Sequence, residues 1–146
     1  MPTPAATALV LEQIDAYNAR DLDKMLSYYA SDAVILDGDG THLDQGHEAI
    51  RQVFERVFAA NPDLHADIPV VAQVGQWVMA HSIVANWAMA DGSRGEMQWF
   101  ERYEVVDVKI TCVHLVPVKV RRWSTGLHEP RESGSQVREP SASRYN

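Results

Sequence analysis

By type and context, the residues of this 146-residue sequence best suited to moving a proton are Asp37, Glu101 and His81. Asp37 closes the apolar run Ala33-Val34-Ile35-Leu36, Glu101 lies within the strand-like stretch Glu96 to Val106, and His81 lies within Trp77 to Met89. An acid that ends an apolar strand either faces water or stands at the mouth of an apolar pocket. In the second case, desolvation raises its pKa and makes it a usable base or a neutral hydrogen-bond donor. Each candidate also has a plain structural reading. Asp37 precedes Gly38 and could be a solvated turn residue, Glu101 could pair with Arg102 on the surface, and His81 and His114 could be hydrogen-bonded histidines on apolar strands.

Side chains alternate along a strand, so these candidates bring neighbours with them. Asp37 shares a face with Ile35 and Ala33, and Glu101 shares one with Met97, Trp99 and Tyr103. If His81 faces inward, Trp77, Met79, Ile83, Ala85 and Trp87 do too, and Cys112 and His114 lie together on the last strand. If these faces line a pocket, its walls are Met79, Trp87, Trp99 and Tyr103, with Asp37, Glu101 and His81 as polar points and His114 nearby. That lining suits a small, flat apolar molecule. Asp37-Gly-Asp39-Gly-Thr41 with Glu48 echoes a calcium loop, but His42 stands where that loop needs glycine. His42 and His47 with Asp39 or Asp44 match no zinc spacing. No metal and no cofactor are therefore expected, and Cys112 reads as a buried thiol.

The elements that must position these residues follow from periodicity. Leu9, Val10, Ile14 and Tyr17 are spaced for a helix over residues 6–19. Asp21 is a good N-cap for a short second helix carrying Leu22, Met25, Leu26 and Tyr29. Ala33 to Leu36 reads as a strand, and Gly38 to Gln45 as an irregular loop. A third helix begins at Gly46-His47-Glu48, buries Ile50, Val53, Phe54, Val57 and Phe58, and stops before Pro62. The period then becomes twofold. Leu64 to Val74, Trp77 to Met89, Glu96 to Val106 and Lys109 to Val116 read as an antiparallel meander separated by turns, with the early strand at an edge. The expected fold class is α+β, three N-terminal helices on a mostly antiparallel sheet.

Residues 1–117 are expected to form one domain, and 118–146 a polar, disordered tail, of which Val118 to Trp123 could extend the last strand or pack on the domain. The charge divides at that boundary: residues 1–117 hold 17 acids against 7 Lys and Arg, while 118–146 hold 3 acids against 6 bases. An acidic folded part argues against nucleic acid and against anionic membrane surfaces as partners. With one cysteine, no apolar run of about 18 residues and no signal-like start, the expected location is cytoplasmic.

The segments AYNARDLDKMLSYYASDAVILDG, GHEAIRQVFERVFAANPDLHADI and RYEVVDVKITCVHLV, in that order and spacing, resemble the nuclear transport factor 2-like superfamily. Within it, the SnoaL-like and ketosteroid-isomerase-like proteins are the most similar in pattern. The resemblance covers residues 6 to 117 and implies a cystatin-like cone, a curved sheet wrapped by three helices around an apolar pocket, commonly in a homodimer. It implies proton-transfer isomerisation or cyclisation of an apolar carbonyl compound, with Asp37 in the place of the general base and Glu101 near that of a second acid. The helix-borne Tyr of the isomerases falls near Gln13, which leaves Tyr17 or Tyr28 as substitutes. The alternative is a non-catalytic ligand-binding or dimeric scaffold module of the same fold.

Overall fold

The computed structural model describes residues 4–122. Helix α1 (Ala5–Asn18) and the short α2 (Leu22–Ser27) are joined by a tight turn. The Asp21 carboxylate accepts the Lys24 backbone N–H at 3.1 Å, the N-cap expected for α2. Strand β1 (Tyr29–Leu36) follows directly, then β2 (His42–Gln45), α3 (His47–Ala60), β3 (Ala66–Val74), β4 (Trp77–Ala88), β5 (Arg94–Val106) and β6 (Lys109–Arg122). The six strands form one sheet in the order β2-β1-β6-β5-β4-β3. Only β1 and β6 pair in parallel. This is the expected α+β architecture, three helices on a curved, mostly antiparallel sheet.

Four details differ from the sequence expectation. Residues 42–45 lie in the expected loop but pair with β1 as a short edge strand, so β1 lies inside the sheet. Their polar composition suits an edge, where one side of the backbone meets water. Tyr29 belongs to β1 rather than α2, because α2 stops at Ser27 with Tyr28 as its C-cap. Strand β6 continues past Val116, the expected strand end, and its backbone stays paired with β5 as far as Arg122 opposite Gly95. The tail expected beyond it, from residue 123 onward, lies outside the described residues.

The fourth difference matters most for the site. Between Val84 and Trp87 the β4–β5 register shifts, with three steps along β4 matched by two along β5. The extra residue is a β-bulge, and it reverses the phase of the strand. Val78, Ala80, Ser82 and Val84 face the helices, and beyond the bulge so does Trp87. On β5, Met97, Trp99 and Tyr103 are buried on the same side, as the alternation predicts. The helices cover this face with Val10 and Ile14 from α1, Met25 and Leu26 from α2, and Ile50, Val53 and Val57 from α3. Arg20, at positive φ, ties the bottom of this layer together by donating to the carbonyls of Asn18, Pro62 and Leu64 at 2.7–2.9 Å. Among the described residues no helix is long and apolar enough to cross a membrane.

Candidate functional site

The space left between the helices and the sheet is a cavity of about 70 Å³, enough for several water-sized groups. Its apolar wall mixes aliphatic side chains with aromatic rings. Trp87 and Trp99 meet edge-to-face at 5.0 Å between centroids, and Tyr17 packs edge-to-face on Phe54 at 5.7 Å. Ile35 from β1 and Leu115 from β6 close the side nearest the β1–β2 turn. Among the described residues, no Lys, Arg or His lines this space.

Its polar groups gather around one carboxyl. Glu101 sits half-buried in the middle of β5, and its carboxyl lies among the cavity-lining side chains. The Tyr103 hydroxyl donates to Glu101 Oε1 at 2.7 Å, and buried Ser82 supplies a second side-chain hydrogen bond. Desolvation pushes the Glu101 pKa up to about 7, against the opposing pull of the Tyr103 and Ser82 hydrogen bonds, which favour the charged form. Tyr103 is pushed upward, first by burial and then by the charge of Glu101, so it stays protonated. Gln13, 2% exposed on α1, completes the cluster. Its Oε1 accepts the Tyr29 hydroxyl at 2.8 Å, its Nε2 donates to the Val10 carbonyl at 3.3 Å, and its side chain also hydrogen-bonds Tyr103.

Of the site residues expected from sequence, the fold brings Glu101, Tyr103, Trp99, Trp87, Tyr17 and Gln13 to this cavity. Asp37 is elsewhere. Strand β1 ends one residue before it, and its Oδ1 accepts the backbone N–H groups of Asp39 (3.2 Å) and Thr41 (3.0 Å), folding the turn into β2. His81 and Met79 lie on the outer face of the sheet, because the bulge reverses the alternation on which their inward placement rested. The His81 ring meets Phe100 edge-to-face and its Nε2 pairs with Gln98 at 2.8 Å, while Met79 is 48% exposed. His114 is also outside the cavity, since Val113 and Leu115 are the inward residues of β6, and its Nδ1 accepts from Arg102 at 2.6 Å. Tyr28 donates to Glu12 at 3.2 Å on the outside of the helices.

Sequence reasoning missed Tyr29 and Ser82. The first was hidden by the α2–β1 boundary, one residue beyond Tyr28, and the second by the reversed phase of β4. Among the described residues, no group of three or more His, Cys, Asp or Glu side chains is gathered as a metal site. His47, one of the weighed ligands, instead pairs its Nε2 with the Tyr29 carbonyl at 2.9 Å.

The sequence from residue 10 to residue 113 matches the SnoaL-like domain. Among solved structures, an uncharacterised cystatin-fold protein from Novosphingobium aromaticivorans is 28% identical, with a TM-score of 0.68 over 78% of this chain and 98% of that one. IdmH, described as a candidate polyketide cyclase from Streptomyces antibioticus, is 22% identical, with a TM-score of 0.65 over 77% of this chain and 91% of its own. TerC, co-crystallised with polyporic acid, is 14% identical, with a TM-score of 0.67 over 79% and 92%. The last two likenesses concern the fold alone. No curated protein matches the chain in sequence.

Proposed function

Because the chain belongs to the SnoaL-like domain family, we propose that its cavity binds a neutral, largely apolar carbonyl compound and that Glu101 moves a proton beside the carbonyl. The observation that carries this reading is a carboxyl on the polar side of a largely apolar cavity, where desolvation pushes its pKa up to about 7. At that value both protonation states are populated near neutral pH, so the same group can take a proton and return it. Ionised Glu101 accepts the α-hydrogen as a proton. The C–H electron pair becomes the C=C bond of an enolate, and the negative charge moves to the carbonyl oxygen. Where the compound carries a C=C bond next to the α-carbon, the enolate is a dienolate, and return of the proton to its far (γ) carbon moves the double bond into conjugation and isomerises the compound. Alternatively the enolate carbon attacks a second carbonyl and closes a ring, with the proton passing from Glu101 to the new alkoxide.

The lining also supports a neutral ligand. Among the described residues, a desolvated anion would find no cationic side chain in the cavity and would face the Glu101 charge. In this reading Asp37 holds the β1–β2 turn, and the proton-transfer role falls to Glu101. The neighbours described as a candidate polyketide cyclase and as a complex with polyporic acid are consistent with a cyclic or cyclising ligand. The family expectation of a homodimer belongs to the same proposal. Met79 and Phe100, 48% and 47% exposed on the outer sheet face, offer apolar surface for it. Sedimentation velocity would show a monomer if that part is wrong.

A second reading, a binding module without turnover, is favoured by one feature: Tyr103 and Ser82 already satisfy the Glu101 carboxyl. Exchange of α-hydrogens for deuterium in D₂O separates the two readings. Cyclic ketones that raise the melting temperature would be incubated with native protein and with Glu101→Gln, and exchange followed by NMR. Exchange that depends on Glu101 supports the enzyme. Tight binding with exchange no faster than in buffer supports the module.

A further inference from the structure

The hydrogen bonds around Glu101 form a directed chain. The Tyr29 hydroxyl donates to Gln13 Oε1, which orients the amide so that its nitrogen is left to donate. The Gln13 amide then bonds Tyr103, whose own hydrogen is already committed to Glu101 Oε1 at 2.7 Å. A phenol oxygen that accepts from an amide is a better donor, because the bonds of such a chain polarise one another. One Gln13 amide hydrogen goes to the Val10 carbonyl at 3.3 Å, and the hydrogens that link Tyr29, Gln13 and Tyr103 point toward the Glu101 carboxylate, which is where the charge resides before any reaction.

We propose that Tyr103 is the group that stabilises the enolate oxygen, that it is released for this task only when Glu101 becomes protonated, and that Gln13 is its positioning residue. The proposal rests on Glu101 as the proton carrier. Once the α-proton has moved to Glu101, the carboxyl is neutral and its Oε1 is a weaker acceptor than a carboxylate. The negative charge now lies on the ligand oxygen. Rotation about one C–O bond turns the Tyr103 hydrogen from Glu101 to that oxygen, so the hydrogen follows the charge. The two protein oxygens are 2.7 Å apart, and the carbon that loses the proton is only two bonds from the oxygen that gains the charge. One ligand can therefore face both groups. Such a donor acts on the intermediate and not on the bound ketone, which is the form of binding that accelerates a reaction.

2-Naphthol serves as the probe. It is a flat aromatic molecule whose ionised oxygen stands for the enolate oxygen, and its neutral and ionised forms fluoresce at different wavelengths. Affinities would be measured on the full chain, below and above the pH at which free naphthol ionises. Glu101→Gln fixes the neutral state of the carboxyl and is expected to bind naphtholate at least about tenfold more tightly than the native protein. Adding Tyr103→Phe to that variant should remove about tenfold or more of the gain, while neutral naphthol binding changes by less than about twofold. Gln13→Met in the same background should lose a smaller part, again only for naphtholate. A general packing defect would weaken both forms equally, so selectivity for the ionised form is the diagnostic quantity.

Equal naphtholate affinity with and without the Tyr103 hydroxyl overturns the proposal. So does a Glu101→Gln variant that binds naphtholate no better than the native chain. If naphtholate discrimination follows the expected pattern but no ketone exchanges its α-hydrogen, Tyr103 keeps its role toward a ligand anion and the proposed reaction is what fails.

Discussion

The end of β1 and the middle of β5 each present a carboxyl group, and the fold treats them in opposite ways. Asp37 lies beyond the last paired residue of its strand, where two backbone N–H groups of the turn bond its carboxylate. Glu101 lies within a paired stretch, with Ala80 of β4 on one side and Leu115 of β6 on the other, so its side chain points toward the helices. There it meets Tyr103, Ser82 and apolar walls, and among the described residues it loses water without gaining a cation. Position along a strand thus decides whether an acid becomes a turn-forming group or a titrating group near neutrality.

The comparison is most easily broken at the level of activity. On a ketone that responds in the exchange assay, Glu101→Gln should lower the rate by roughly 10²–10⁴-fold, the usual contribution of a positioned acid or base. Asp37→Asn should leave the rate within about threefold, since it changes no cavity side chain. A large loss from Asp37→Asn with Glu101→Gln unaffected would reverse the two assignments.

The next effect is on stability. The folded-state pKa of Glu101 is raised from 4.5 to about 7, so between those values the native state holds a proton that the unfolded state has released. Its favourable contribution is complete below about pH 4.5 and is lost as pH rises through about 7. Native protein should therefore lose on the order of 2–3 kcal/mol between these limits relative to Glu101→Gln, whose carboxamide does not titrate. Urea denaturation at several pH values measures this difference, and parallel curves for the two proteins would contradict it. For the turn, Asp37→Ala should cost about 1 kcal/mol through two lost backbone hydrogen bonds. That cost should not vary with ligand, and denaturation with and without a bound ketone tests it.

Much of this arrangement was legible in the sequence, and the exceptions have specific causes. The three helices followed from their apolar spacing, and the meander from the twofold period after Pro62. The inward face of β5 was also readable, because nothing interrupts alternation between Met97 and Tyr103. On β4 the same rule gave the wrong face for Met79 and His81. Trp87 does face the cavity, but the bulge at residues 85–86 separates its phase from that of the residues before it. No glycine marks the bulge, and its available sign was Asn86, a polar break in the strand just before Trp87. Asp37 was misplaced for a related reason: alternation from Ile35 predicts an inward side chain only while the strand continues, and this strand ends at Leu36. The Asp-Gly-Asp-Gly composition that follows was the available signal for a turn.

The smallest expected effect comes from the outer face. His81→Ala removes a ring that bonds Gln98 and packs on Phe100, both outside the cavity. It should leave ketone affinity within about twofold, as measured by thermal shift or calorimetry.

The most direct test of the account is the titration of Glu101 itself, followed by side-chain ¹³C NMR of the labelled carboxyl in the native protein and assigned by its loss in Glu101→Gln. The account predicts a midpoint near 7. A midpoint in the ordinary carboxylate range, close to 4.5, would mean that water reaches the group freely and that the cavity holds no group suited to proton transfer at neutral pH.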